Sequence, residues 1–172
     1  MEKDDWMPSK GEYKPFYQGY VSKIQDKIVP ELFEKQIQTY LAFFGSLGED
    51  RASRPYATGK WSFKQALGHI LDTEKIMHFR ALCIIREPGI ELPGFDQDDY
   101  VDIAEFDRLS LRHILTSFET HRWSLRQFME TLSKESMLNS GVVDGHAMSV
   151  RAACCIVVGH AEHHMGVFKS LS

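Results

Sequence analysis

Apolar residues recur along this chain at spacings of three, four and seven, which is typical of helices that bury one face. Strand-like alternation is rare. Ser62, followed three residues later by Gln65, has the form of a capping box at a helix start. The pattern predicts an all-α protein, a four-helix bundle. Its helices are expected to run from Pro30 to about Gly48, from Ser62 to about Arg86, from Ser110 to about Ser133, and from Ser149 to Leu171.

The connections between these helices differ in length. Residues 87–107, between the second and third helices, contain two prolines and two glycines and are too long and too broken for a tight turn. We therefore expect this long connection to form a crossover or the rim of a cleft. The connection before the fourth helix contains Gly141 and Gly145 and is predicted to be a loop.

The amino-terminal residues have a different composition from the rest of the chain. Residues 1–20 mix charges, prolines and glycines with aromatic side chains, which predicts an extended arm whose aromatics pack onto the body. Residues 21–172 then form the bundle domain. At 172 residues, the chain is long enough for one domain with a full hydrophobic core and too short for a second.

Composition and charge exclude several classes of function. The chain is 43% hydrophobic and 26% charged, as expected of a globular protein. A net charge of -4 and the lack of a basic run argue against nucleic acid as a partner. No apolar run has the length of a signal-peptide core at the start, or the ~20 residues needed to span a bilayer. The three cysteines suggest no disulfide framework, so a cytoplasmic location is predicted.

Two histidines of the fourth helix carry the clearest chemical signal. At about 100° per residue, His160 and His164 both project into the apolar face of that helix. A buried imidazole needs partners for its ring nitrogens, and a metal ion would satisfy two rings one turn apart. The i, i+4 spacing is the one that helical zinc sites use. The alternative is that these are structural core histidines in a hydrogen-bonded network without metal.

A third ligand is needed for a stable site, and His69 of the second helix lies at the edge of that helix's apolar face, which permits the role. His163 points away from the apolar centre and is expected in an outer position or at the surface. The other histidines, His78, His113, His121 and His146, have no partner at metal-ligand spacing. Cys83, Cys154 and Cys155 are improbable as ligands or nucleophiles.

One carboxylate is placed where it would be costly if unpaired. Glu74 projects near the middle of the second helix's apolar face, and Arg122 of the third helix also points partly inward. The two could form a buried ion pair, or Glu74 could act beside the metal as an acid/base group. The sequence leaves both readings open.

The stretches YATGKWSFKQALGHILDTEKI and GHAEHHMGVFKSL, separated by LPGFDQDDY and FETHRWSLRQF, resemble the DinB/YfiT-like family of proposed metalloenzymes. The resemblance covers nearly the whole chain. It implies a four-helix bundle with an unusual connection and a metal site made of His69, His160 and His164. It also implies nickel or zinc as the metal, and a homodimer.

The resemblance leaves the reaction open. Some relatives resemble transferases or isomerases that use low-molecular-weight thiols such as bacillithiol or mycothiol, while others resemble metal-dependent hydrolases. Three neutral imidazoles would leave open coordination positions for water, a thiolate or a small-molecule substrate. Thiol transfer to a small electrophile is slightly favoured here, hydrolysis by an activated water is the alternative, and a non-catalytic binding or stress-response protein is the rival from another class.

Overall fold

Four long helices form the body of the protein in the computed structural model, which describes residues 3–171. The predicted four-helix bundle is confirmed. The long helices are α3 (Val29–Leu47), α5 (Phe63–Arg86), α7 (Leu111–Glu130) and α9 (Val150–Ser170). In chain order, the α-helices are α1 (Lys3–Trp6), α2 (Gln18–Val21), α3 (Val29–Leu47), α4 (Glu49–Ala52), α5 (Phe63–Arg86), α6 (Gln97–Ala104), α7 (Leu111–Glu130), α8 (Lys134–Leu138) and α9 (Val150–Ser170).

The two helices that carry the histidines begin at serine caps. The hydroxyl of Ser62 accepts the backbone N–H of Gln65, while the side chain of Gln65 accepts the N–H of Ser62, so the predicted capping box is present. The hydroxyl of Ser149 accepts the backbone N–H of Ala152 at the start of α9. These caps satisfy otherwise unpaired N–H groups and fix the register of both helices.

A small three-stranded sheet closes one end of the bundle and corrects the prediction of a plain loop around Gly141. Strands β1 (Glu91–Leu92), β2 (Ser140–Val143) and β3 (His146–Ser149) pair in that order, the first two parallel and the last two antiparallel. The turn between β2 and β3 is Asp144-Gly145, with φ of 51° and 72°. An Asp-Gly pair favours a two-residue hairpin because both residues tolerate positive φ.

The long connection between α5 and α7 is confirmed and has structure of its own. It contains β1, then α6, whose first N–H groups are capped by the carboxylate of Asp96, and then a short 3-10 turn at Phe106–Arg108. The ring of Phe106 lies against Gly68 of α5, where a larger residue would not fit. The connection is thereby held over one side of α5.

The amino-terminal segment, residues 3–21, lies across α9 as short helices rather than as extended chain. Its backbone at Tyr20 packs so closely on Gly159 that a Cβ at that position would meet the Tyr20 carbonyl. Glu12 accepts hydrogen bonds from Arg151 and from the hydroxyl of Ser149. The segment is therefore anchored at both ends of its contact with α9.

A layer of polar side chains divides the core. Two clusters of buried apolar residues occupy the two ends of the bundle. On α5, α7 and α9, a buried polar residue stands between the stretches that contribute to these clusters: Glu74, Arg122 and His160. Gln36 of α3 joins this layer by accepting a hydrogen bond from Arg122.

Candidate metal centre

Three imidazoles converge where α5 packs on α9. The Nε2 atom of His160 lies 3.0 Å from Nε2 of His69 and 3.0 Å from Nε2 of His164. One ring nitrogen from each of the three lies within 4.8 Å of the others. His69 comes from the second turn of α5, and the other two stand one turn apart on α9. The structure thus brings together the three residues that the sequence singled out.

Burial sets the charge of these imidazoles. The exposed fractions of His69, His160 and His164 are 4%, 3% and 9%. Removal from water disfavours the imidazolium form, so the pKa of His69 falls to about 4 and that of His164 to about 3. The pKa of His160 lies well below its usual value, mainly because of burial and further because of its neighbouring histidines. All three rings are therefore neutral at pH 7, the form in which imidazole binds a metal ion.

The geometry fits a divalent transition metal. Two nitrogens that each bind one ion at ~2.1 Å are about 3.0 Å apart at a right angle and about 3.4 Å apart at a tetrahedral angle. The two observed separations of 3.0 Å fall at the short end of this range. Lone pairs of neutral rings repel when they point at one another. One metal ion between the three rings could instead accept all three lone pairs.

Aromatic rings enclose the three histidines. Tyr20 of the amino-terminal segment packs edge-on against His160, with 5.1 Å between ring centroids. Trp61 lies 4.8 Å from His69, and Phe168 lies 6.0 Å from His164. Tyr20 and Trp61 were not among the sequence-based candidates, because nothing in their local pattern shows that they fold over the site.

Two cavities reach the histidines from different sides. We call the first, of about 330 Å³, the Arg80 cavity; it is lined by residues that include His69, His160, Thr73, Arg80 and Phe95. The second, of about 380 Å³, is the Trp61 cavity; its lining includes His69, His164, His163, Tyr56 and Trp61. Access from two sides gives room for a small molecule next to the three ring nitrogens.

Glu74 and Arg122 form a buried ion pair, one of the two readings that the sequence left open. Neither side chain is exposed, and the guanidinium contacts both carboxylate oxygens at 2.5–3.1 Å. Burial raises the pKa of Glu74, while the charge of Arg122 opposes that shift. Arg122 also donates to the side chain of Gln36 and to the carbonyl of Phe33. Glu74 is thus engaged by a fixed partner and does not face the cavities.

His163 is partly exposed and stands outside the converging three. Its ring lies 5.3 Å from that of His164 and 5.4 Å from that of Tyr20. His78 and His121 contact each other across α5 and α7, with ring centroids 5.5 Å apart, although sequence spacing gives no hint of it. Burial lowers the pKa of His121 to about 4.

The cysteines have no part in the centre. Burial raises the pKa of Cys154 to about 12 and that of Cys155 well above its usual value, so both thiols stay protonated.

Within residues 3–171, no helix is both long enough and apolar enough to cross a bilayer.

Most of the chain is similar in sequence to one known protein family and to two known bacterial proteins. The family model described as the DinB superfamily matches residues 32–168. A protein of Oceanobacillus iheyensis, named as a candidate metal-dependent hydrolase, is 26% identical over 141 residues, covering 78% of this chain and 80% of its own. A protein of Bacillus licheniformis with the same description is 21% identical over 126 residues and covers 72% of each chain.

A solved structure shares the fold. It is YfiT from Bacillus subtilis, which is described as a candidate metal-dependent hydrolase with an unusual four-helix bundle topology. The TM-score is 0.79 at 17% sequence identity, and the match covers 98% of this chain and 96% of that one. At this identity, the likeness establishes the fold.

Proposed function

The chain belongs to the DinB superfamily, and we propose that it is a metal-dependent hydrolase that acts on a small molecule at His69, His160 and His164. The observation that carries the proposal is the convergence of three buried, neutral imidazoles with no carboxylate or thiolate among them. Such a ligand set leaves the full charge of a divalent ion in place and some of its coordination positions open, which is the arrangement of catalytic rather than structural zinc sites. The names of the two curated relatives support hydrolysis.

The ion would supply Lewis acidity, which acidifies a water molecule and polarises a substrate carbonyl. The chain's own residues have three roles beside it. The three imidazoles hold the ion, and the rings of Tyr20, Trp61 and Phe168 keep bulk water from most of its surroundings. His163, which lines the Trp61 cavity and is partly exposed, is placed to take up a proton there.

Thiol transfer, slightly favoured from the sequence, has less support than hydrolysis. The relatives are named as candidate hydrolases, and nothing in those names refers to a transferase or an isomerase. Cys154 and Cys155 are buried with raised pKa values, and Cys83 lines neither of the two cavities, so a reacting thiol would have to come from solution. Thiol dependence is therefore an outcome of the activity test below.

Metal content tests the first half of the proposal. Protein purified without a His tag or chelating resin should carry close to one nickel or zinc ion per chain, as measured by plasma mass spectrometry. His160→Ala should lose the ion because it removes the nitrogen shared by both 3.0 Å contacts. His113→Ala, at an exposed position of α7, is the matched control and should keep it. A wild-type chain that binds no metal even after reconstitution would refute the proposal.

Turnover tests the second half. The metal-loaded protein should hydrolyse some members of a panel of small esters and amides, without any added thiol, and His160→Ala should not. Activity that appears only with a low-molecular-weight thiol would overturn hydrolysis in favour of thiol transfer. If the protein binds one metal ion per chain but turns over none of these substrates, with or without an added thiol, a binding protein would instead be favoured.

A further inference from the structure

Arg80 is a buried cation without a carboxylate partner. Its exposed fraction is 3%. Its Nη2 donates to the carbonyl of Pro93 at 2.8 Å, and its Nη1 lies 3.8 Å from the sulfur of Met77. In residues 3–171, no carboxylate oxygen lies within 4.0 Å of the guanidinium. A guanidinium has five N–H donors, so one carbonyl leaves most of its capacity unused.

The other buried cations of the described chain are paired. Arg122 holds Glu74, and Lys64 holds Glu49. Charged side chains are almost never fully buried unless they have such partners, because the desolvation cost is otherwise uncompensated. Arg80 is the exception among the three: its guanidinium lies 5.5 Å over the Phe95 ring and acts on Asp144 only at longer range. An anion from outside the chain would give it the direct ion pair that the other two have.

The guanidinium belongs to the cavity that reaches the histidines. Arg80 lines the same 330 Å³ cavity as His69 and His160. It follows His69 by eleven residues on α5, or three turns, so both side chains leave the same face about 16 Å apart along the axis. Both side chains lean toward the amino terminus, so this tilt does not bring them closer, but the longer Arg80 side chain reaches back along the wall in the direction of His69. The cavity they share, of about 330 Å³, has room for a small organic molecule.

A second unpartnered group lies between them. Thr73, one turn beyond His69, lines the same cavity, and its hydroxyl is buried without a hydrogen-bond partner. A buried hydroxyl without a partner is rare and costly in a native structure. Thr73 and Arg80 thus place two polar side chains with unmet hydrogen-bonding capacity on one wall of the cavity.

Three acidic residues also line this cavity, Asp96, Asp98 and Asp144. Asp144 binds Lys14 at 2.6 Å, and Asp96 caps α6 by accepting backbone N–H groups. Their charges would repel a large polyanion at the entrance. The lining therefore favours a single small anionic group held at Arg80 over a phosphorylated or nucleotide-like ligand.

We propose that Arg80 and Thr73 bind a carboxylate of the substrate, and that the substrate is a small carboxylic acid whose ester or amide bond lies at the three histidines. The assignment of the reaction rests on the proposed function, whereas carboxylate binding stands on Arg80 and Thr73 alone. In the hydrolysis, water adds across the ester or amide bond, which breaks to give an acid and an alcohol or amine. The carboxylate held by Arg80 is unchanged and serves to orient that bond.

The test uses the metal-free protein, in which the histidines hold no ion that could itself bind the acid. Succinate and its neutral analogue succinamide are titrated and followed by calorimetry or by ligand-observed NMR. Succinate should bind at least ~10-fold more tightly than succinamide, because a charge-assisted contact to a buried guanidinium is lost in the amide. Equal binding of the two, or tighter binding of inorganic phosphate than of succinate, would overturn the proposal.

Variants identify the residues responsible. Arg80→Gln should weaken succinate binding at least ~10-fold, and Thr73→Val should weaken it severalfold while keeping the side chain's shape. Arg86→Gln makes the same charge change at an exposed position of the same helix and should have no effect. Succinate binding that Arg80→Gln leaves intact in a folded protein would refute the assignment. Should that variant not fold, Thr73→Val and the comparison of succinate with succinamide still decide it.

Zinc binding, measured separately, distinguishes the two proposals. If the wild-type protein binds succinate through Arg80 but takes up no zinc, the proposed hydrolase fails and the carboxylate site stands. If it binds zinc but not succinate, the carboxylate site fails and the metal centre stands.

Discussion

Zinc binding to the metal-free protein should release almost no protons at about pH 6. Metal uptake usually displaces protons because histidine ligands must be neutral. Three solvent-exposed imidazoles of pKa ~6.5 would each be about three-quarters protonated at pH 6 and would together release ~2.3 protons. In this protein, burial has already removed those protons before the metal arrives.

The magnitude follows from the site. With a pKa of about 4, His69 is ~1% protonated at pH 6. His164, with a pKa of about 3, is protonated tenfold less, and the pKa of His160 also lies well below its usual value. A water molecule acidified to pKa ~7 by the ion would add only ~0.1 proton. The expected total is therefore near ~0.1 proton per zinc ion.

Isothermal titration calorimetry measures this number directly. The apparent enthalpy of zinc binding is recorded at about pH 6 in weakly coordinating buffers that differ in ionisation enthalpy. The slope of the apparent enthalpy against the buffer's ionisation enthalpy gives the number of protons released. His160→Ala, which lacks the central ligand, corrects for adventitious binding. Release of about two protons would show that the three rings are charged and hydrated in the metal-free state, which would refute a preformed, desolvated centre.

Three further outcomes are expected. Arg122→Leu should lower the free energy of unfolding by ~3–5 kcal/mol, because it leaves the carboxylate of Glu74 unpaired in the core. Urea denaturation measures this loss, and the double variant Glu74→Leu with Arg122→Leu should recover part of it. Gly159→Ala should push the amino-terminal segment off α9 and speed its proteolysis, whereas Gly166→Ala, which meets nothing within 4 Å, should leave the proteolysis rate unchanged. The metal-free protein should lose stability as the pH falls from about 6.5 to 4, by up to ~3 kcal/mol for His69 alone, because the unfolded chain takes up the proton that the folded site excludes. Denaturant titrations across that range measure the slope, and a flat profile would contradict it.

The sequence predicted the helices and two of the converging histidines well, because both depend on local periodicity. His160 and His164 stand one turn apart on a strongly apolar face, so their direction follows from the helix alone. His69 was harder to place. It lies at the edge of an apolar face, and its burial depends on how α5 packs against α9, which no single helix encodes.

The β-hairpin was missed although its signal is local. Asp144-Gly145 is a strong two-residue turn pair, with strand-forming valines at Val142 and Val143 before it. The strands are so short that the segment reads as a loop when only periodicity is considered. Pairing with β1, whose residues lie 51 positions earlier in the sequence than their partners in β2, is a tertiary effect that the pattern does not contain.

The carboxylate site was missed for a different reason. Arg80 looks like an ordinary charged residue near the end of a long helix, and Thr73 looks like a neutral one. What distinguishes them is an incomplete set of partners: within residues 3–171, Arg80 has a carbonyl but no carboxylate, and the Thr73 hydroxyl has no hydrogen-bond partner. This becomes visible only when the neighbouring helices and the connection over α5 are in place. A sequence pattern reports which groups are present, whereas an unmet hydrogen-bonding requirement depends on the complete fold.

The buried ion pair explains how a cationic metal centre can share a layer with an arginine. Arg122 already lowers the pKa of His160, so its charge acts at the centre, and alone it would also repel a divalent ion. The carboxylate of Glu74, held against the guanidinium in the fully buried pair, carries the opposite charge and offsets part of that field. The layer is then close to neutral before the metal binds. The ion's charge remains available to the open side of the centre, where the two cavities meet the three imidazoles.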